Sequence, residues 1–304
     1  MLRALARLGA MGALGVLGGS ACATQARPLG LASPSVTEAT VAGTRPPSPR
    51  KAARAASATS QLAGPVRLNS PHLLFGMPSD ADPSDDFIMN KGAYVLSYNR
   101  TRGLANWVAW RLTADDLGTE ERADDFRADD QLPPDFYRVL PRDYTKSGYD
   151  RGHMCPSSHR TKDAASNSLT FLMTNMQPQA HSLNAGPWKS LETYERDLAR
   201  TQGKDVYVVA GGLFIASPTT IGHGVAVPRS NYRITVVVEH GSGPADVTAA
   251  TPAYAVEMPN DETAKGHKWS EFRVSVDQVE RDTGYDFLSA LPDVIEDEVE
   301  SRGP

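Results

Sequence analysis

The sequence predicts an α+β protein built on a central, mainly antiparallel sheet flanked by helices. Five short segments rich in aromatic and β-branched residues recur between positions 93 and 258, the composition of strands. No regular strand–helix alternation separates them, so the parallel sheet of an α/β fold is not expected. Two further stretches carry helix start and stop signals, one of them with three- and four-residue apolar periodicity.

"AYVLSYN" (Ala93–Asn99) and "NWVAWRL" (Asn106–Leu112), separated by the turn-like "RTRG", read as a hairpin. "DVYVVAGGLF" (Asp205–Phe214) and "YRITVVVE" (Tyr232–Glu239) carry the near-continuous apolar runs of central strands, and "AYAVEM" (Ala253–Met258) is a fifth strand. In "GPWKSLETYERDLARTQG", Pro187 stands near the first helical position and Gly203 past the end. Trp188, Leu191, Tyr194 and Leu198 form its apolar stripe. "SVDQVERDTG" opens with a capping box, Ser275 with Gln278, and closes at Gly284. The acidic "DVIEDEVE" near the end reads as a solvated terminus. One globular domain, 66–304, accommodates all of this.

The 304 residues carry a net charge of −5 that conceals an asymmetry. Residues 1–60 hold seven Lys/Arg against the single acid Glu38, and the remainder holds 24 bases against 35 acids. So acidic a body argues against broad adhesion to nucleic acid, which is dominated by phosphate charge; such a partner needs a local basic site. Two cysteines, Cys22 and Cys155, exclude a disulfide framework. Arg3 and Arg7 precede a short apolar, small-residue run ending in Ala21-Cys22-Ala23, which reads as a signal peptide over 1–23 and predicts an exported protein. The run is too short and glycine-rich for a good membrane span, so no transmembrane segment is expected. Cys22 stands where a lipoprotein leader is processed, which leaves a lipid anchor open, and an Arg-rich, acid-poor mitochondrial transit segment is the alternative address. Residues 24–65, rich in Pro, Ala, Ser and Thr, are expected to form a disordered linker.

The densest chemistry lies in "SGYDRGHMCPSSHRT" (Ser147–Thr161). His153 follows a glycine, which permits a close approach other residues resist, and has Asp150 and Arg151 beside it. A histidine so flanked can be held in one tautomer as a general base; an ordinary polar turn explains the motif about as well. Zinc on His153, Cys155 and His159 is a weaker reading, because no paired ligand spacing accompanies them. A reactive Cys155 is weaker still, since no base stands beside it. Further on, Asn175 ends an apolar, strand-like run and Asn184 lies just before the helix opened by Pro187. A neutral asparagine oxygen suits Mg²⁺, which takes few protein ligands and leaves its charge to a phosphate. Glu192, eight residues on, fits a metal-bound water better than direct ligation. The plainer reading of these residues alone is a helix cap at Asn184 and an i,i+4 pair between Glu192 and Arg196.

"NWVAWRL", "ERADDFRAD", "YDRGHMCPSSHRT", "FLMTNMQPQ", "LNAGPWKSLE", "VYVVAGGLF", "VPRSNYRITV" and "FRVSVDQVERDTGYDFLSALP" occur in an order that resembles the DNA/RNA non-specific endonucleases, the family of secreted bacterial nucleases and endonuclease G. D-R-G-H followed about thirty residues later by N-x-G-x-W-x-x-L-E is the specific part of the match. The resemblance implies a ββα-metal nuclease fold beside a six-stranded type of sheet, and Mg²⁺-dependent cleavage of DNA and RNA, with Mn²⁺ as a substitute. It implies His153 as general base, Asn184 as the direct metal ligand and Glu192 as holder of metal-bound water. Arg122 would face the scissile phosphate with Arg151 and Arg196 in support, and Asn175 would position the histidine loop. It leaves a monomer or homodimer open. The rival reading is a catalytically silent nucleic-acid-binding or zinc-stabilised module on the same scaffold. A third reading, a nuclease strict for one sugar type and delivered as a toxin, would bring an inhibitor protein as partner.

Overall fold

The computed structural model describes residues 69–304. The expected leader, Cys22 and the linker lie outside those residues. Eleven strands are present among the described residues: β1 (Phe87–Asn90), β2 (Val95–Asn99), β3 (Leu104–Leu112), β4 (Asp150–His153), β5 (Met176–Gln179), β6 (Lys204–Leu213), β7 (Thr220–Ile221), β8 (Val225–Ala226), β9 (Ser230–Glu239), β10 (Ala253–Pro259) and β11 (Arg273–Val274). The α-helices that matter below are α1 (Ala164–Leu169), α2 (Lys189–Gln202), α3 (Val276–Thr283) and α4 (Asp293–Glu300).

Seven strands form the main sheet in the order β1-β2-β3-β6-β9-β10-β11, with every neighbouring pair antiparallel. The sheet is one strand wider than the six-stranded type, and short β1 and β11 form its edges. β2 and β3 make the expected hairpin, with a bulge at Ser97/Tyr98. β6 and β9 pair without a break from Lys204↔Glu239 to Leu213↔Ser230. Both faces of these strands are covered, which explains why they read as continuous apolar runs. On one face Val206, Val208 and Val237 pack with Trp188, Leu191 and Leu198 at and along α2. On the other, Tyr207, Ile234 and Val236 pack with Val279 of α3, Phe287 and Val299 of α4.

Both expected helices form. α2 ends at Gly203 in the left-handed region (φ 63°), where a glycine carries no Cβ penalty. Tyr194 departs from its assigned stripe: it is exposed and stacks on Trp269 with centroids 5.1 Å apart. At α3, the Ser275 side chain accepts from the Gln278 N–H, but the Gln278 side chain donates to Asp282 Oδ2 (2.8 Å), so only half of the capping box forms.

Two expectations are corrected. The run before Asn175 is not a strand: α1 and a 3₁₀ turn, Met173–Asn175, precede β5, because Asn175 spends its side chain on backbone partners in neighbouring loops. The acidic terminus is not a solvated end. α4 buries Glu296, Val299 and Glu300, since its apolar side must reach the same core that α3 covers.

A charged group sits in the core between α2 and the sheet. Arg233 of β9 is fully buried, its guanidinium 4.1 Å from the Trp188 ring centroid and 5.3 Å from that of Trp110. Glu195 of α2 neutralises it at 2.9 Å and also accepts from Thr235 Oγ1 at 2.8 Å. Glu195→Ala strands this cation in the core, and urea unfolding should show a loss of about 3–5 kcal/mol.

Candidate active site

β4 and β5 pair away from the main sheet, His153 opposite Met176 and Gly152 opposite Gln177. Gly152 is needed for close approach and not for an unusual φ: a Cβ there would lie 2.5 Å from Gln179 Cγ and 2.1 Å from its Oε1. Gln179 is itself buried. The strand exit is held by Asn175. Its Oδ1 accepts from the Cys155 N–H (3.0 Å), its Nδ2 donates to the carbonyls of Cys155 and Thr170 (both 2.8 Å), and its carbonyl accepts from the Met154 N–H (3.0 Å).

His153 is 7% exposed. Its ring meets Phe171 edge-on at 4.9 Å and Phe126 at 5.6 Å. Nε2 is buried without a hydrogen-bond partner, which leaves Nδ1 as the nitrogen water can reach. Burial first, and then the Arg122 charge, push the imidazole down to about 3, so it is neutral at any ordinary pH. The Arg122 guanidinium lies 4.7 Å from the Phe171 centroid and 5.9 Å from that of Phe126, donating to Ser157 Oγ and Asp124 Oδ1 (3.2 Å each). Arg151 lies 4.5 Å over Phe126. Phe126 and Phe171 meet edge-to-face at 5.0 Å, a platform shared by the histidine and the two arginines.

Asn184 opens a π-turn, Asn184–Trp188, in which Gly186 (φ −101°, ψ −118°) interrupts the helical path. Its side chain does not cap a helix. Nδ2 donates to Asp150 Oδ2 at 3.0 Å, and His181 Nδ1 lies 2.8 Å from the same oxygen. With the amide nitrogen committed, Oδ1 is the atom left to act as a ligand. Trp188 closes the turn, donating from Nε1 to the His153 carbonyl at 3.1 Å. Asn184 and His153 are thus tied to the two ends of one four-residue strand.

Glu192, in the first turn of α2, faces Arg233 at 3.6 Å and not Arg196 as the i,i+4 spacing suggested. Burial raises its carboxyl to about 7, Arg233 opposes that rise and Glu195 adds to it. Arg196 acts on Glu192 only as a nearby charge. The structure therefore sets His153, Arg122 and Arg151 against Phe126 and Phe171, clamps the loop after His153 with Asn175, joins Asn184 to the start of the same strand through Asp150, and places Glu192 about two turns beyond Asn184, with Arg196 one turn further on.

The zinc and reactive-cysteine readings find no support in this arrangement. His159 accepts from Trp110 Nε1 (3.2 Å) and donates from Nε2 to the Glu192 carbonyl (2.9 Å), so both its nitrogens are used. Cys155 is buried and its thiol is pushed up to about 12 by that burial. Sequence reasoning passed over Phe126, Phe171 and Arg233. A lone arginine inside the apolar run "YRITVVVE" was the one available signal.

The DNA/RNA non-specific endonuclease family model matches residues 73–294. The chain belongs to this family. This endonuclease is 46% identical over 238 residues to a nuclease of Nostoc sp., covering 77% of the chain and 86% of the relative. It is 31% identical over 228 residues to human mitochondrial endonuclease G, covering 70% and 72%, and 30% identical over 220 residues to the nuclease of Serratia marcescens, covering 69% and 78%. A crystal structure of the EndoG/EndoGI complex superposes with a TM-score of 0.63 at 29% identity, over 77% of this chain and 96% of that one. The fold of the endonuclease is the ββα-metal nuclease fold, with the seven-stranded antiparallel sheet at its centre.

Two outcomes test this geometry. Gly152→Ala should leave the main sheet folded while displacing Gln179 and β4, seen as near-native far-UV circular dichroism with a large loss of cleavage. NMR titration should find the His153 ring neutral down to about pH 4. In Arg122→Ala its pKa should rise, though not to 6.5, because burial is the larger cause.

Proposed function

We propose that this endonuclease hydrolyses phosphodiester bonds of both DNA and RNA with a divalent metal, Mg²⁺ with Mn²⁺ as a substitute, and with water as nucleophile. The observation that carries the reading is His153: a buried, neutral imidazole with one nitrogen walled in by aromatic rings and the other reachable, beside an arginine.

The residues fit an oxygen-liganded metal. Asn184 Oδ1 would be the direct ligand, oriented by the Asp150 bond to Nδ2, and Glu192 would hold a metal-bound water. A metal held there would supply positive charge at the phosphate and the leaving oxygen. His153 takes a proton from the attacking water through Nδ1, and Asn175 keeps the loop that carries it in place. Arg122 faces the scissile phosphate, with Arg151 and Arg196 in support. Cleavage leaves 5′-phosphate and 3′-hydroxyl ends. No 2′-hydroxyl enters this chemistry, so both sugars are accepted.

In this reading residues 66–304 are the catalytic domain, 24–65 a linker and 1–23 an export leader. A lipid on Cys22 and a mitochondrial address remain the alternatives. A protein inhibitor is a further expected partner, in line with the EndoG/EndoGI complex.

The test is cleavage of supercoiled plasmid and single-stranded RNA by the full chain. Both should be cut with Mg²⁺ and neither with EDTA. His153→Ala should lower kcat/KM by about 10²–10⁴. A folded wild-type chain that binds DNA yet leaves both substrates intact with Mg²⁺ would overturn the proposal in favour of a binding module.

A further inference from the structure

β7 and β8 are joined by the turn Gly222-His223-Gly224, and both glycines lie in the left-handed region (φ 50° and 83°). A Cβ at Gly222 would meet Asp143, 2.5 Å from its carbonyl oxygen, so this turn sits directly on the 3₁₀ turn Pro141–Tyr144. The seating lays the His223 ring over Tyr137, with centroids 4.2 Å apart and planes at 34°. Tyr137 is pinned from the other end. Its hydroxyl donates to both oxygens of Asp143 (3.1 and 2.9 Å), and Asp143 Oδ2 also accepts from the Leu140 N–H at 2.8 Å. Both rings are nonetheless exposed. Among the described residues no other ring meets His223, so one face of the imidazole stays open.

Positive charge surrounds this stack. Arg142 and Lys146 are exposed, and no ion pair engages either among the described residues. Arg142 acts on the Tyr137 hydroxyl as a nearby charge. Arg138 donates to the carbonyls of Asp130 (3.2 Å) and Leu132 (3.1 Å), which fix it without cancelling its charge. The acid inside the patch, Asp143, is buried and turned to Tyr137. The patch also adjoins the candidate active site. Tyr144, Ile221 and Val225 share a core cluster with Met176, the partner of His153 across β4 and β5, and Phe126 and Tyr149 pack against that cluster. The Arg151 charge reaches Tyr144 from the other side.

We propose that Tyr137, Arg142, Lys146 and His223 form a flanking subsite that holds the substrate strand beyond the scissile phosphate. An unpaired base stacks on the open face of His223, and phosphates meet Arg142 and Lys146. A preset ring stack fits any base, because every base has a π-face, whereas bases inside a duplex already cover one another. The subsite therefore favours single-stranded or frayed substrates without reading their sequence. The inference rests on cleavage at His153 as proposed above.

The experiment is fluorescence anisotropy of a labelled single-stranded DNA of about twenty nucleotides with the full chain in EDTA, where binding is read without cleavage. His223→Ala should weaken binding by roughly five- to a hundredfold, and His223→Phe, which still stacks, should restore it. Arg142→Ala combined with Lys146→Ala should reduce the slope of log K against log salt by about 1.4. In Mg²⁺, His223→Ala should raise KM for the long strand at unchanged kcat, and a dinucleotide, too short to reach the subsite, should be cut as by wild type. Undiminished binding in His223→Ala, a loss that His223→Phe does not restore, or an equal loss on the dinucleotide overturns the stacking role. An unchanged salt slope overturns the phosphate contacts. If the wild type cuts neither substrate while His223→Ala still weakens binding, the cleavage reading fails and the strand site stands.

Discussion

The arrangement depends on one buried cation. Arg233 enters the core from a strand whose alternate side chains face α2, and a full charge in that position is tolerable only with a carboxylate and further acceptors around it. Glu195 supplies the charge, the Met154 carbonyl accepts at 3.3 Å, and Trp110 and Trp188 cover the guanidinium. These partners come from α2, from β3, from the π-turn and from the residue after His153. Trp188 in turn donates to the His153 carbonyl. The interaction that neutralises Arg233 therefore also sets the distance between α2 and the end of β4, and with it the spacing of the proposed base from the proposed metal ligand.

The arginines near His153 are handled in the opposite way. Arg151 and Arg122 lie over aromatic rings, and among the described residues the carboxylate that meets either is Asp124, in an exposed pair at 3.2 Å. Stacking fixes a guanidinium without cancelling its charge, whereas a buried carboxylate does both. An exposed pair contributes little and is readily exchanged for another anion. Positive charge thus stays available in a body that is acidic overall, and the same Arg122 charge helps keep His153 neutral.

How legible this was depended on the range of the interactions. Strands β2, β3, β6, β9 and β10 and helices α2 and α3 follow from local periodicity and from stop signals such as Gly203 and Gly284, so they could be read directly. β4 and β5 are four residues long, and β5 contains Pro178; their pairing is decided by Gly152 against Gln179 and by the clamp at Asn175, both long-range. The motif residues of the site were visible, but their support was not. Phe126 and Phe171 look like ordinary core aromatics, and an aromatic ring that carries two arginines and a histidine can be recognised only once they meet. The acidic terminus failed for a related reason: charge composition suggests a solvated end, and the burial of Glu296 and Glu300 follows from where Ile295 and Val299 must go.

Glu192 and Glu195 show how one helix separates support from chemistry. Three residues apart on α2, both face Arg233. Glu195 is fully buried and holds two short bonds, to Arg233 and Thr235, so its position is settled by the core. Glu192 has only the 3.6 Å approach to Arg233, its side chain is 14% exposed, and its carboxyl sits at about 7. A carboxylate already matched by two donors has little to gain from a new partner, whereas one that is half-paired and poorly solvated gains a great deal from a metal-bound water. One turn of helix thus assigns Glu195 to the fold and leaves Glu192 free for the role proposed for it.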